Sequence, residues 1–149
     1  EKTDLNATMV CYPYDDIDGW HGKFTIEEYF EKLQTMCDKW EKGLSVLNGI
    51  TGNDEFNDLK RYATVFFVNF KAVINGIKYN SDRNAGKKEF IREYIETEKT
   101  LTKKLYKLAS EDCKVGYEAS NHYYFTQNSF LEKLINLEML FDSHNGYTK

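Results

Sequence analysis

The sequence is poor in the features that would assign it a chemistry at once. Its three cysteines, Cys11, Cys37 and Cys113, lie far apart and form no CxxC or Cys/His ligand spacing. An odd count leaves at least one thiol over, which argues against a disulfide framework; a single pair such as Cys11 with Cys113 stays open. The one proline, Pro13, pushes Tyr12 toward extended geometry and leaves every later segment free of a proline break. Basic excess is also missing. A net charge of −4 argues against nucleic acid as a partner, because neutralising phosphates takes a basic stripe. No apolar run is long enough to span a bilayer: the most apolar stretch, residues 63–77, is broken by Asn69, Lys71 and Asn75 and reads as a buried core helix, so no membrane partner is expected. Signal peptide, internal repeat and strand alternation are all absent. The odd cysteine count and the missing signal favour a cytoplasmic location, and a start at Glu1 fits a piece of a longer or processed chain.

What is present points to one helical domain. With 149 residues, 41% hydrophobic and 15% aromatic, the chain is large enough to bury a sizeable core. Four helical patterns run along it. In the first, Thr25-Ile26-Glu27-Glu28 is a capping box, with Phe24 and Tyr29 placed as a hydrophobic staple. Ile26, Tyr29, Phe30, Leu33, Cys37, Trp40, Leu44 and Leu47 then follow three-and-four spacing up to a stop at Asn48-Gly49, a span of roughly 33 Å. The second pattern starts at Asn53 or Asp54 and runs to about Tyr79. Phe56, Leu59, Tyr62, Ala63, Phe66, Phe67, Phe70, Val73, Ile74 and Ile77 cover so much of its girth that it reads as the central helix. A break is expected at Asn80-Ser81-Asp82. The third pattern carries Phe90, Ile91, Tyr94, Ile95, Leu101, Leu105 and Leu108 and reaches about Glu111. The lysines of residues 87–107, interleaved with Glu89, Glu93, Glu96 and Glu98, read as its solvated face, laced by i,i+4 pairs. The fourth follows a cap at Thr126 or Asn128, carries Phe130, Leu131, Leu134, Ile135, Leu137, Leu140 and Phe141, and ends at His144-Asn145-Gly146. The expected fold is all-α: an up-down-up-down four-helix bundle over residues 25–149, with residues 1–24 as linker and irregular N-terminal arm and an ordered loop before the last helix.

Two irregular stretches carry the polar chemistry. The arm contains Asp15, Asp16 and Asp18 running into Trp20 and His21. An EF-hand calcium loop is disfavoured, because its frame places Tyr14 and Thr25 where carboxylates are needed. The sequon Asn6-Ala7-Thr8 is a triplet that chance supplies readily. The second stretch, residues 116–125, packs Glu118, Ser120, Asn121 and His122 among Tyr117, Tyr123, Tyr124 and Phe125. That is too aromatic for a plain connector, and loops on a rigid scaffold are where binding groups collect. Tyr117 and Phe125 read as pins that hold this loop on the bundle. Asn121, His122, Tyr123, Glu118, Asp15, Asp16, Asp18 and Trp20 are therefore the candidate ligand contacts, while Trp40 sits inside the first helix's stripe and reads as core. A glycosidase pair would need Glu118 and an arm aspartate roughly 5–9 Å apart. Simple topology opposes that, placing the two at opposite ends of the bundle, although an extended arm could span it. His21, His122 and His144 show no helical ligand spacing with one another or with the cysteines, so no metal, cofactor or catalytic residue is assigned.

Tyr12-Pro13-Tyr14-Asp15-Asp16-Ile17-Asp18-Gly19-Trp20, the helix ending Trp40-Glu41-Lys42-Gly43-Leu44, and Val115-Gly116-Tyr117-Glu118-Ala119-Ser120-Asn121-His122-Tyr123-Tyr124 together resemble the helical C-terminal region of large bacterial proteins related to glycoside hydrolases. The resemblance implies an accessory domain of a carbohydrate-active parent. Its partners would be an upstream catalytic domain of the same chain and, through the two loops, a saccharide. No active-site residue carries over from it. The rival expectation is a stand-alone helical interaction module without enzymatic activity.

Overall fold

In a computed structural model, residues 10–15, 21–112, 115 and 126–144 are described. They form four helices, α1 (Ile26–Asn48), α2 (Asp54–Asn84), α3 (Ile91–Glu111) and α4 (Gln127–His144), and no strand. The architecture is an all-α bundle in which α1 packs on α2, α2 on α3 and α3 on α4.

Local signals set the helix ends. Thr25 Oγ1 accepts the Glu28 N–H at 3.1 Å and Glu28 returns to the Thr25 N–H at 2.9 Å, so the capping box is formed as expected. Asn53 caps α2 through the Phe56 N–H at 3.0 Å, and Thr126 Oγ1 accepts the Ser129 N–H at 3.2 Å ahead of α4. The expected break at Asn80-Ser81-Asp82 is not there, because α2 continues to Asn84. Asn80 turns its amide back to the Gly76 carbonyl at 3.1 Å and accepts Arg83 at 2.6 Å, so its side chain supports the helix it was expected to end. The stop comes at Gly86, with φ of 72°. There the Lys87 N–H reaches the Asp82 carbonyl and the Gly86 N–H reaches that of Arg83, a Schellman closure that needs the left-handed residue. Phe90, expected in the α3 stripe, is the exposed residue just ahead of that helix.

Cross-helix contacts fix the register. Trp40 of α1 donates to the Ala63 carbonyl of α2 at 2.9 Å and meets Phe66 and Phe70 edge-on, while Ile26, Tyr29, Phe30 and Leu33 pack near Val73 and Ile77. The end of α2 thus lies against the start of α1. Between α2 and α3, Arg61 reaches Asp112 at 3.1 Å at one end, and Tyr79 stacks on Tyr94 at 4.1 Å at the other. Between α3 and α4, Ile95 and Leu137 share a cluster, and Lys99 pairs with Glu138. Each consecutive pair is antiparallel, the up-down-up-down order.

The arm completes the core. No direct backbone contact joins α1 to α4, and residues 10–15 bridge them. Val10 joins Val65, Val68, Leu105, Ala109, Val115 and Phe130, whereas Cys11 joins Val73 and Ile77 in the cluster that α1 packs on. Tyr12-Pro13-Tyr14-Asp15 then forms a turn, with the Asp15 N–H on the Tyr12 carbonyl at 3.0 Å and proline in the position that presets it. The Tyr12 hydroxyl donates to the Ser129 carbonyl and to Glu132 at the start of α4. Cys11 is held at φ of 55°, a left-handed conformation that costs a non-glycine residue about 1 kcal/mol or more. The packing on either side keeps it there.

Candidate functional site

Of the expected ligand contacts, the described residues include Asp15 alone. Asp16, Asp18, Trp20, Glu118, Asn121, His122 and Tyr123 lie outside them, as do Cys113, Tyr117 and Phe125. Asp15 is 3% exposed, and its carboxylate accepts the Tyr12 N–H at 3.0 Å, closing its own turn. His21 Nδ1 lies 2.5 Å from the Phe24 carbonyl, in the turn that leads into α1. Among the described residues no group of three or more potential ligands is placed to hold a metal ion, and no helix is long and apolar enough to cross a membrane.

Two arrangements were not anticipated. The first is a charged cluster at the centre of the bundle. Lys133 of α4 and Glu98 of α3 are both fully buried and meet at 2.5 Å. Lys133 donates a second bond to the Val10 carbonyl at 2.5 Å, and the other Glu98 oxygen accepts Asn75 of α2 at 2.7 Å. Asn75 also reaches the Tyr94 carbonyl at 3.3 Å. Glu98 thus overturns the expectation of a wholly solvated charged face on α3. It occupies the buried row of Tyr94, Ile95, Thr102, Leu105 and Ala109, and Lys99 reaches across to α4 instead of along its own helix. Ion pairs buried this deeply hold because every charge finds hydrogen-bonding partners. Nearby, burial pushes the Cys11 thiol up to about 12 and the buried Tyr94 phenol well above its ordinary range, with Glu98 adding to both. Burial and the Glu132 carboxylate raise Tyr12 to about 12 as well. These groups stay protonated at neutral pH. The cluster is closed to solvent and ties the arm, α2, α3 and α4 together.

The second arrangement is on the surface. Along the outer face of α4 stand Leu131, Ile135 and Met139, respectively 44%, 61% and 64% exposed. They are four residues apart, which makes a straight row along one side of a helix. The exposed charged residues of α4 around them include Glu132, Glu138 and Asp142, and Lys99 of α3 reaches over to Glu138. Leu131 and Ile135 were expected to face inward with Phe130 and Leu137; only the latter two are buried. A further apolar area lies where α1 ends and α2 begins, where Val46, Ile50, Leu59 and Phe66 are exposed. Beside it runs an open groove of about 830 Å³ along Met36, Trp40, Leu44, Leu47 and Ala63. Its charged lining residues, Lys32 and Lys39, are both basic. Trp40 is therefore core on one edge and groove wall on the other.

The sequence did carry signals for both arrangements. Lys133 falls between Phe130, Leu134 and Leu137, and Glu98 between Tyr94, Ile95 and Leu105, so each charge sits inside an apolar stripe. Apolar residues in α4 also cover far more than the ~100° that one neighbouring surface would bury. No protein-family model matches the chain, nor does any curated protein or solved structure.

Proposed function

We propose that this chain is a helical docking module whose working surface is the outer face of α4. The observation that carries the reading is the row Leu131, Ile135 and Met139, three large apolar side chains left in water by a helix whose other side buries Phe130, Lys133 and Leu137. Scattered single apolar residues on a surface mean little, but an aligned row with a polar border is how helical recognition surfaces are built. Removing the row from water on docking stabilises the complex by about 25 cal/mol for each Å² buried, before the costs of association. The central cluster supports this role indirectly, since α4 is anchored by Lys133 and presents its outer side as a fixed ridge.

The resemblance to helical C-terminal regions of glycoside-hydrolase-like proteins favours a second reading, in which the docked surface belongs to a catalytic domain of the same polypeptide. The anchored arm suits that role, because a segment held at residues 10–15 fixes how an upstream domain meets the bundle. In this reading Asp16, Asp18, Trp20, Glu118, Asn121, His122 and Tyr123 remain the candidates for a saccharide.

Photo-crosslinking tests both. A benzoylphenylalanine at Ile135 or Met139 of the natural full-length protein is expected to give a discrete adduct on one defined protein surface. The same probe at exposed, polar Glu111 is the control. An adduct on a catalytic domain of the same chain selects the accessory reading. Failure of both α4 positions to exceed the Glu111 control would remove the docking role.

A further inference from the structure

We infer that the partner of the α4 ridge is a second copy of this chain, which receives the ridge in the groove along α1. This rests on the docking reading above and goes further, by naming the occupant. The two exposed apolar features are complementary in shape and in charge. One is a convex row and the other a concave channel. On α4 itself the row stands among Glu132, Glu138 and Asp142, with Lys99 of α3 paired to Glu138, whereas the charges lining the channel are Lys32 and Lys39. Like-charged borders would oppose pairing ridge with ridge or groove with groove, and opposite ones favour ridge in groove. The lengths also agree. From Lys32 to Leu47 the groove wall runs roughly 22 Å, which accommodates the roughly 12 Å from Leu131 to Met139. Glu138 already pairs with Lys99 and Glu132 accepts from Tyr12, yet both remain exposed at their rims and available to a neighbour's lysine. Trp40 is the natural anchor in the groove, a large half-buried ring whose N–H is already satisfied by the Ala63 carbonyl, so covering its outer edge strands no polar atom.

Such a contact is heterologous: each copy offers one ridge and one groove, and in a simple pair one of each is left open. Assembly therefore runs past the dimer or closes into a ring.

The purified chain, examined by sedimentation over concentrations up to about 1 mM, is expected to show a mass that rises above the 17.5 kDa of one copy. Ile135→Lys should abolish the rise, as should Val46→Glu with Lys39→Glu; these positions are exposed, and a helical circular dichroism spectrum confirms folding. Mixing the two variants is decisive. One keeps its groove and the other its ridge, so the mixture should yield a 1:1 pair that grows no further. A chain that stays monomeric throughout, assembly that survives Ile135→Lys, or a mixture that forms no pair would each overturn the inference. A monomeric chain whose Ile135 still crosslinks to a different protein surface would leave the docking reading standing and remove the second copy as its occupant.

Discussion

The two sides of α4 reverse the usual division of labour on a helix. Toward the core it carries Phe130 and Leu137 but also a lysine, Lys133, with no exposure at all; toward water it carries Leu131, Ile135 and Met139. In α1 the division is the ordinary one for most of its length, with Leu33, Cys37 and Leu44 inside and Glu31, Asp38 and Lys42 outside. The contrast teaches that α1 is held by its stripe, whereas α4 is held at one point by charge and hydrogen bonds as well as by packing. A buried ion pair contributes little net stability relative to a well-packed apolar pair, but breaking one costs a great deal. Its presence in α4 fixes rotation and register, because only one setting of the helix brings Lys133 to both Glu98 and the Val10 carbonyl.

The largest effects are expected from changes to the inner side of α4. Lys133→Ala leaves Glu98 buried with Asn75 as its remaining support, and is expected to cost about 3–5 kcal/mol in a denaturant titration. Replacing both charges, with Lys133→Met and Glu98→Leu together, should restore most of that loss. If the double variant is as unstable as the single, the pair is not the source of the effect. Leu137→Ala, on the same inner face, should cost about 2–5 kcal/mol through the cavity it opens. Alkali probes the same region. Burial holds the Tyr94 phenol protonated in the fold to well above its ordinary value near 10. The unfolded chain then loses this proton first, so the contribution is intact below about pH 10 and fades as pH rises beyond it. Tyr94→Phe should flatten the fall in the unfolding midpoint above that pH, and an unchanged slope would assign the fall to other groups. Thr25→Ala, at the cap of α1, should cost about 1 kcal/mol. Smallest of all, Ile135→Ala on the outer face should shift stability by no more than about 0.5 kcal/mol, which measured beside Leu137→Ala sets inner against outer on one helix.

Much of this fold could be read directly from the residues, and the reasons are local. Thr25 with Glu28, Asn53 and Thr126 are capping signals that act within one turn, and each marks a helix start in the structure. The all-α class and the order of packing follow from periodicity and short connections. What escaped reading depends on neighbours remote in sequence. Asn80 resembles a helix breaker until Arg83 and the Gly76 carbonyl are seen to satisfy it. Glu98 looks like one acid among lysines until Lys133 reaches it from another helix. The orientation of Leu131 and Ile135 is a tertiary fact too: α4 is apolar on both sides, and periodicity alone does not say which side meets α3. The expected ligand contacts were legible as types, acids and aromatics in irregular stretches. Of these, Asp15 lies among the described residues, where it closes a turn.

The bond between Lys133 and the Val10 carbonyl also has a mechanical meaning. Each helix touches the next along the chain, so the bundle can zip up from contacts close in sequence, while the arm must find α4 from more than a hundred residues away. The arm is therefore expected to lock last and to carry load first. Tension entering from the N-terminal side pulls on residues 10–15 before it reaches α1, and their release frees a partner of Lys133 while leaving all four helices wound. In a longer polypeptide this segment would behave as a mechanical fuse, yielding at a defined point while the helices beyond it keep their shape.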